Sequence, residues 1–217
     1  MTLAIFDLDN TLIAGDSDHL WGDWLVEKGI VDQQHYKDTN DQFYVDYQNG
    51  RLDIMAYLRF SLKVLAEHDM AQLHFWREQF LAEKLDAMWL PKAEALLQKH
   101  RDQGHTLMII TATNDFVTAP LADRLGVDHL IATVAECKRE RYTGNVAGIP
   151  SYRDGKVERL AEWLRANNES LAGSWFYSDS HNDLPLLRKV DNPVAVDPDA
   201  TLDREAREQG WPVISLR

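Results

Sequence analysis

TLAIFDLDNTL, residues 2–12, decides how this chain reads. Residues 2–6 form a short apolar run that acidic residues stop at once, the pattern of a strand buried on both faces of a parallel sheet. In extended chain, residues two apart point the same way, so Asp7 and Asp9 face one site while Leu8 turns into the core. In an open α/β sheet the carboxyl end of a strand is where ligands bind. Two neighbouring carboxylates repel each other unless a cation is shared or one is protonated. A hard divalent ion held by oxygen ligands meets that need. An acidic turn capping the next segment is the plainer alternative at this point.

Similar apolar runs recur at Thr106–Thr111 (TLMIIT), Ser174–Ser178 (SWFYS) and Pro193–Val196 (PVAV), with helical patterns between them. Residues 91–103 begin with Pro91 and end before Gly104; Lys156–Asn167 carries Val157, Leu160, Ala161 and Leu164 at helical spacing. Strands alternating with helices predict an α/β fold, a Rossmann-like doubly wound parallel sheet. Between Asp16 and about Met88 the alternation stops. Four amphipathic patterns (18–28, 32–48, 53–66 and 70–85) follow one another with aromatic residues at helical spacing. The expected division is a catalytic core of residues 1–15 and 89–217 and an all-helical cap of residues 16–88 inserted after the first strand. VAECKRERYTGNV (134–146) predicts a small β-hairpin on the edge of the sheet.

The 217 residues are 45% hydrophobic and 27% charged, a globular composition that leaves room for an insertion beyond one domain of about 150 residues. The net charge of −12, with no Lys/Arg-rich run, argues against nucleic acid or an anionic membrane surface as partner. The predicted cap is the more acidic part for its size, with 14 acidic and 7 basic residues. No stretch approaches about 18 uninterrupted apolar residues, and the N-terminal run is too short for a signal-peptide core, so a cytoplasmic protein is expected. The single cysteine, Cys137, reads as a small strand residue. Oligomeric state is left open.

Three further fragments carry polar groups in telling places. Thr111 ends the second apolar run where a helix is expected to begin near Ala112-Thr113-Asn114, and a hydroxyl with free backbone N–H groups there suits a phosphate. Taken alone it is equally a helix N-cap. Lys156 opens KVERLAEWL on a first helical turn, where the helix dipole does not favour a cation. Asp179-Ser180-His181-Asn182-Asp183 follows the run Ser174–Ser178, and by itself it reads as an acidic surface loop.

In this order, DLDNTL, TAT, GK and SDSHND resemble the four-motif series of haloacid dehalogenase superfamily phosphatases, and the helical insertion is similar to the cap of the phosphoserine-phosphatase-like branch. The resemblance implies that Asp7 is the nucleophile that becomes an aspartyl-phosphate. It implies that Asp9 is the general acid and base, and that Mg²⁺ sits on Asp7, the Asp9 carbonyl and Asp179. Thr111, Ala112 and Lys156 would hold the phosphoryl oxygens, with Asn182 and Asp183 supporting metal and lysine. Asp16 matches the position that contacts a substrate amine, and it or Asp18 also suits a helix N-cap. Where the branch uses an arginine for a substrate carboxylate, ungapped matching of LRFSLKVL (58–65) places Ser61, with Arg59 turned to another helix face.

That departure favours an amino-alcohol phosphate as the small phosphorylated metabolite. DLDNTLIAGDSDHLWGDWL (7–25) is similar to the corresponding segment of bacterial histidinol phosphatases of this branch. Histidinol phosphate is therefore the expected substrate, with phosphoserine as the alternative. Trp21, Trp24, Tyr44 and Phe60 could present a ring face to an imidazole, or form the core of the cap. His181 could touch substrate, and His100 and His105 read as a surface pair. A phosphate-responsive regulatory domain also uses a phosphorylated Asp with a Thr and a Lys, but lacks the second acid and the insertion.

Overall fold

The computed structural model describes residues 2–217. In chain order the elements are β1 (Leu3–Phe6), α1 (Ser17–Glu27), α2 (Gln33–Gln48), α3 (Ile54–Ser61), α4 (Lys63–Glu67), α5 (Met70–Met88), α6 (Pro91–Asp102), β2 (Thr106–Asn114) and α7 (Asp115–Leu125). They continue with β3 (His129–Thr133), β4 (Ala135–Lys138), β5 (Arg141–Val146), α8 (Asp154–Asn167), β6 (Trp175–Ser178), α9 (Leu184–Leu187), β7 (Asn192–Val196), α10 (Ala200–Gln209) and β8 (Val213–Ile214).

Six strands form one parallel sheet in the order β3-β2-β1-β6-β7-β8. Alternate residues divide between its faces. Ala4, Phe6, Leu107 and Ile109 belong to the core shared with α6, α7 and the cap helices, while Leu3, Ile5, Met108 and Ile110 pack against Leu160, Leu187, Leu202 and Ala206 of α8, α9 and α10. Both faces are covered, which is why the strands read as unbroken apolar runs. The central β1 puts its carboxyl end between β2 and β6, at the point where connections leave for opposite sides of the sheet.

Helices α1 to α5 fill Ser17–Met88 without a strand among the described residues. Asp16, Asp32, Asp53 and Asp69 each cap a helix with their side chains. The third predicted helix breaks at Leu62 into α3 and α4. The chain leaves and re-enters the core side by side, with Ile13 bridging Trp89 and the Ala14 amide donating to the Met88 carbonyl at 2.7 Å.

Three expectations are corrected. The hairpin is not on the edge of the main sheet: β4 and β5 pair only with each other, and Gly144 of β5 lies against Ala66 of α4. Trp21 offers no face to a ligand, since it is 2% exposed and stacked on Trp24 with Phe80 and Phe116 edge-on. Phe60 likewise packs against Tyr36 and Phe43. Cys137 is an exposed strand residue.

His100 is the third. It is 2% exposed, edge-on to Phe6 and Trp175, and its Nε2 lies 2.8 Å from the Tyr177 hydroxyl while its Nδ1 lies 2.8 Å from Nδ1 of His105. Two imidazole nitrogens at that distance share one proton, so the pair excludes a doubly charged state. Burial first, then the charges of His105 and Lys99, push His100 down to about 4. The folded chain therefore resists a proton that the unfolded chain accepts near pH 6.5. Stability on this account is fully present above about pH 6.5 and falls toward pH 4, by about 3 kcal/mol in all. Urea denaturation of wild type and His100→Gln between pH 7 and 4.5 measures the difference; parallel pH profiles would show that His100 contributes nothing to acid sensitivity.

Candidate active site

The loop after β1 turns sharply. Asn10 adopts a left-handed φ of 57°, and the Leu8 carbonyl accepts from the amides of Thr11, Leu12 and Ile13. This brings Asp7 and Asp9 to the mouth of the sheet. Asp7 is buried, with its Oδ1 2.8 Å from Lys156 Nζ. Lys156 is 2% exposed and also lies 2.8 Å from Asp183 Oδ2, which accepts from the Ser178 hydroxyl at 2.7 Å. Lysine reaches this place because α8 starts on a tight turn. A Cβ on Gly155 would stand 2.1 Å from the Pro150 carbonyl oxygen, so only glycine lets the first helical turn press against residue 150.

Asp9 is held from two sides. Its Oδ1 accepts from the Ser17 amide at 2.6 Å, the first residue of α1, and its Oδ2 accepts from the Thr113 hydroxyl at 2.8 Å and the Thr111 hydroxyl at 3.4 Å. The acid thus touches both the cap helix and β2. Thr111 is not at a helix start. Strand β2 runs on to Asn114 through a shift of register against β3, and Asn114 caps α7 by accepting from the Val117 amide. Ala112 lines the cavity, and its carbonyl accepts from the Thr133 hydroxyl.

Asp179 joins the group through Thr11, whose hydroxyl donates to Asp179 Oδ1 at 3.2 Å and accepts from the Asp179 amide at 3.1 Å. Burial, then the charges of Asp7 and Asp183, hold the Asp179 carboxyl well above the usual range. Asp7 is pushed up to about 7 by burial, with Asp183 and Asp9 adding to it and Lys156 opposing. Burial works against the charge of Lys156, but Asp183 and Asp7 together hold it above the ordinary lysine value. One ammonium facing a cluster of carboxylates leaves negative charge uncompensated. Asp7 and Asp179, with the Asp9 carbonyl, are an all-oxygen donor set of the kind that fits a hard divalent cation. A separate group, His19, Asp23 and Asp41 on α1 and α2, places three ligand atoms within 4.8 Å of one another. There Lys37 already lies 3.1 Å from Asp41 and 3.6 Å from Asp23.

Asn182 does not touch the carboxylates. Its Oδ1 accepts from the Tyr152 hydroxyl and Arg153 Nε, and its Nδ2 donates to the Tyr47 carbonyl of the cap at 3.1 Å. Arg153, at a left-handed φ of 51°, donates to the Gly50 carbonyl at 2.6 Å. His181 is fixed by Asp199 at 2.7 Å and lies so near Gly50 that a Cβ there would stand 2.6 Å from its Nε2. These residues latch the end of α2 to the core. Arg153→Ala keeps the backbone cost and removes both guanidinium bonds. It is expected to speed hydrogen exchange through residues 45–52 and to lower kcat/KM about tenfold by loosening closure. Unchanged exchange in that segment would dismiss the latch.

Above the carboxylates a cavity opens between core and cap, and its lining includes Asp16, Asp18, His19, Phe43, Tyr44 and Tyr57. Asp16 Oδ1 accepts from the Asp18 and His19 amides. Burial first, then the charge of Asp9, raises Asp16 well above the usual range. Ser61 is buried outside this lining, its hydroxyl without a hydrogen-bond partner among the described residues, and Arg59 is exposed. The sequence offered no direct sign of Thr11, Thr113, Tyr47 or Arg153 as site residues. Thr11 and Thr113 lie inside the quoted motifs, and Tyr47 follows Tyr44 at helical spacing.

The chain is 46% identical over 219 residues to a histidinol-phosphatase of Neisseria meningitidis serogroup C, covering 99% of both chains. It is 32% identical over 221 residues to a phosphoserine phosphatase of Mycobacterium tuberculosis, covering 99% of this chain and 70% of that one. A crystal structure of a Bordetella pertussis Tohama I protein of unknown function superposes with a TM-score of 0.93 at 40% identity over the whole of both chains. Residues 4–188 match the haloacid dehalogenase-like hydrolases, and with four motif segments converging at the carboxyl end of β1 beneath an inserted helical cap, the chain belongs to that family, in its phosphoserine-phosphatase-like branch.

Proposed function

We propose that this chain is a cytoplasmic, Mg²⁺-dependent phosphomonoesterase that converts histidinol phosphate to histidinol and phosphate, with residues 1–15 and 89–217 as its catalytic core and 16–88 as its cap. One observation carries the substrate choice: among the described residues that line the cavity none is Lys or Arg, whereas Asp16 and Asp18 are. A substrate carboxylate would find no lysine or arginine there, and a cationic nitrogen would find two buried carboxyl groups, Asp16 and Asp18, whose ionisation it would favour. The relative from Neisseria supports the same choice.

The chemistry follows from the side chains. An Asp7 carboxylate oxygen attacks phosphorus, and the bond from phosphorus to the ester oxygen breaks. Asp9, bonded through Thr113 and the Ser17 amide, gives its proton to the departing alkoxide. Asp9 then takes a proton from water as that water attacks the aspartyl-phosphate, which releases phosphate and restores Asp7. Lys156 orients Asp7 and offers charge to the phosphoryl oxygens, while the Thr111 hydroxyl and the Ala112 backbone complete their cradle. Asp183 positions Lys156. When bound by Asp7, Asp179 and the Asp9 carbonyl, Mg²⁺ supplies the positive charge that this carboxylate cluster lacks.

Phosphate release with Mg²⁺ over histidinol phosphate, phosphoserine, sugar phosphates and nucleotides tests the reading. Histidinol phosphate is expected to lead in kcat/KM by at least about tenfold, on the scale set by one buried charge-assisted contact. If phosphoserine led, the substrate reading would be wrong.

A further inference from the structure

Asp18 is a buried acid with no cation beside it among the described residues, and burial pushes its carboxyl up to about 7. It is 5% exposed, lines the cavity, and accepts from Asn114 Nδ2 of the core at 3.1 Å and from the Tyr57 hydroxyl of the cap. Both partners are neutral, and the charged neighbours Asp9 and Asp16 have its own sign. Burying a carboxylate without a cation is costly. Two donors also leave part of its acceptor capacity unused. Helix N-capping does not account for it, because Asp16 already performs that task for α1. Phe43, Tyr44 and Tyr57 stand in the same cavity wall, apolar faces suited to a flat ring.

We propose that Asp18, held between Asn114 and Tyr57, is the seat of the imidazole N–H of the substrate, a specificity determinant separate from the amine contact expected at Asp16. This rests on the reading of the substrate as histidinol phosphate. Core and cap each supply one of the donors that fix the carboxylate, so the seat is assembled only when the cap meets the core. A ring nitrogen bound there completes a contact that spans the seam.

The test compares histidinol phosphate with phosphoethanolamine, which has the amine but no ring. Asp18→Asn preserves shape and removes the charge. It should lower kcat/KM for histidinol phosphate on the order of 10²-fold, mainly through KM, and reduce the selectivity ratio between the two substrates at least about tenfold. Tyr57→Phe, which removes only one donor, should shift the ratio the same way by a smaller factor and serves if the first variant does not fold. Calorimetric binding of histidinol alone should weaken in parallel. A wild type that gains nothing from the ring overturns both the substrate reading and this inference. A wild type that prefers histidinol phosphate while the variants keep its selectivity ratio and its affinity for histidinol overturns the inference alone.

Discussion

Asp7→Asn is expected to abolish turnover, lowering kcat at least about 10⁴-fold while leaving the fold intact. Asparagine keeps the shape of the side chain but lacks a carboxylate oxygen able to attack phosphorus, so no aspartyl-phosphate forms. The same change should not weaken the protein. In the wild type Asp7 and Asp183 share one ammonium, Asp183 and Asp9 raise the cost of charging Asp7, and Asp7 and Asp183 raise that of Asp179. Asparagine removes one of the repelling carboxylates and leaves Lys156 paired with Asp183. Without divalent cation, the variant is expected to unfold at the same or higher denaturant concentration, gaining up to about 1–3 kcal/mol. Catalytic sites hold like charges together at such a cost. Phosphate release and urea denaturation, both on one preparation, separate the effects. Turnover retained above about 1% would sink the nucleophile assignment, and a loss of several kcal/mol would make Asp7 a structural residue instead.

Much of this site could be read from the sequence because its parts sit where secondary structure itself puts them. Strand periodicity aims Asp7 and Asp9 together, and the ends of apolar runs mark the places where β1, β2 and β6 deliver their loops. What stayed hidden depends on contacts between distant segments. Helical periodicity shows that Trp21 faces something apolar, but not that Trp24, Phe80 and Phe116 cover it completely. The irregularity in β2 carries the strand past Thr111, which makes Thr113 the closer partner of Asp9, and nothing local announces such a shift. Asn182 bonds Ser180 of its own motif and, across 135 residues, the Tyr47 carbonyl of the cap, a contact that no local pattern announces. His100 stands in the last turn of α6, where a charged imidazole would suit the helix dipole. Packing against Phe6, Trp175 and Tyr177 makes it a neutral core residue instead.

Lys156→Met is expected to cost both activity and stability, and the two losses can be separated. Methionine fills nearly the same volume along the path past Phe176 but leaves Asp7 and Asp183 facing each other, buried and without a counter-charge. Removing one partner from a buried ion pair costs about 3–5 kcal/mol, because the remaining charge keeps its desolvation penalty. Loss of the ammonium at the phosphoryl oxygens should lower kcat about 10²–10³-fold besides. Adding Asp183→Asn removes one of the two orphaned carboxylates and with it their mutual repulsion, and the asparagine can still accept from the Ser178 hydroxyl that now bonds Asp183. The double variant should therefore recover most of the lost stability and none of the activity, a non-additivity well above the few tenths of a kcal/mol seen for independent sites. Urea denaturation and phosphate release on wild type, both single variants and the double variant complete the cycle. A Lys156→Met chain as stable as wild type would mean that this ammonium does not hold the cluster together, and activity regained in the double variant would mean that it does not hold the phosphoryl group.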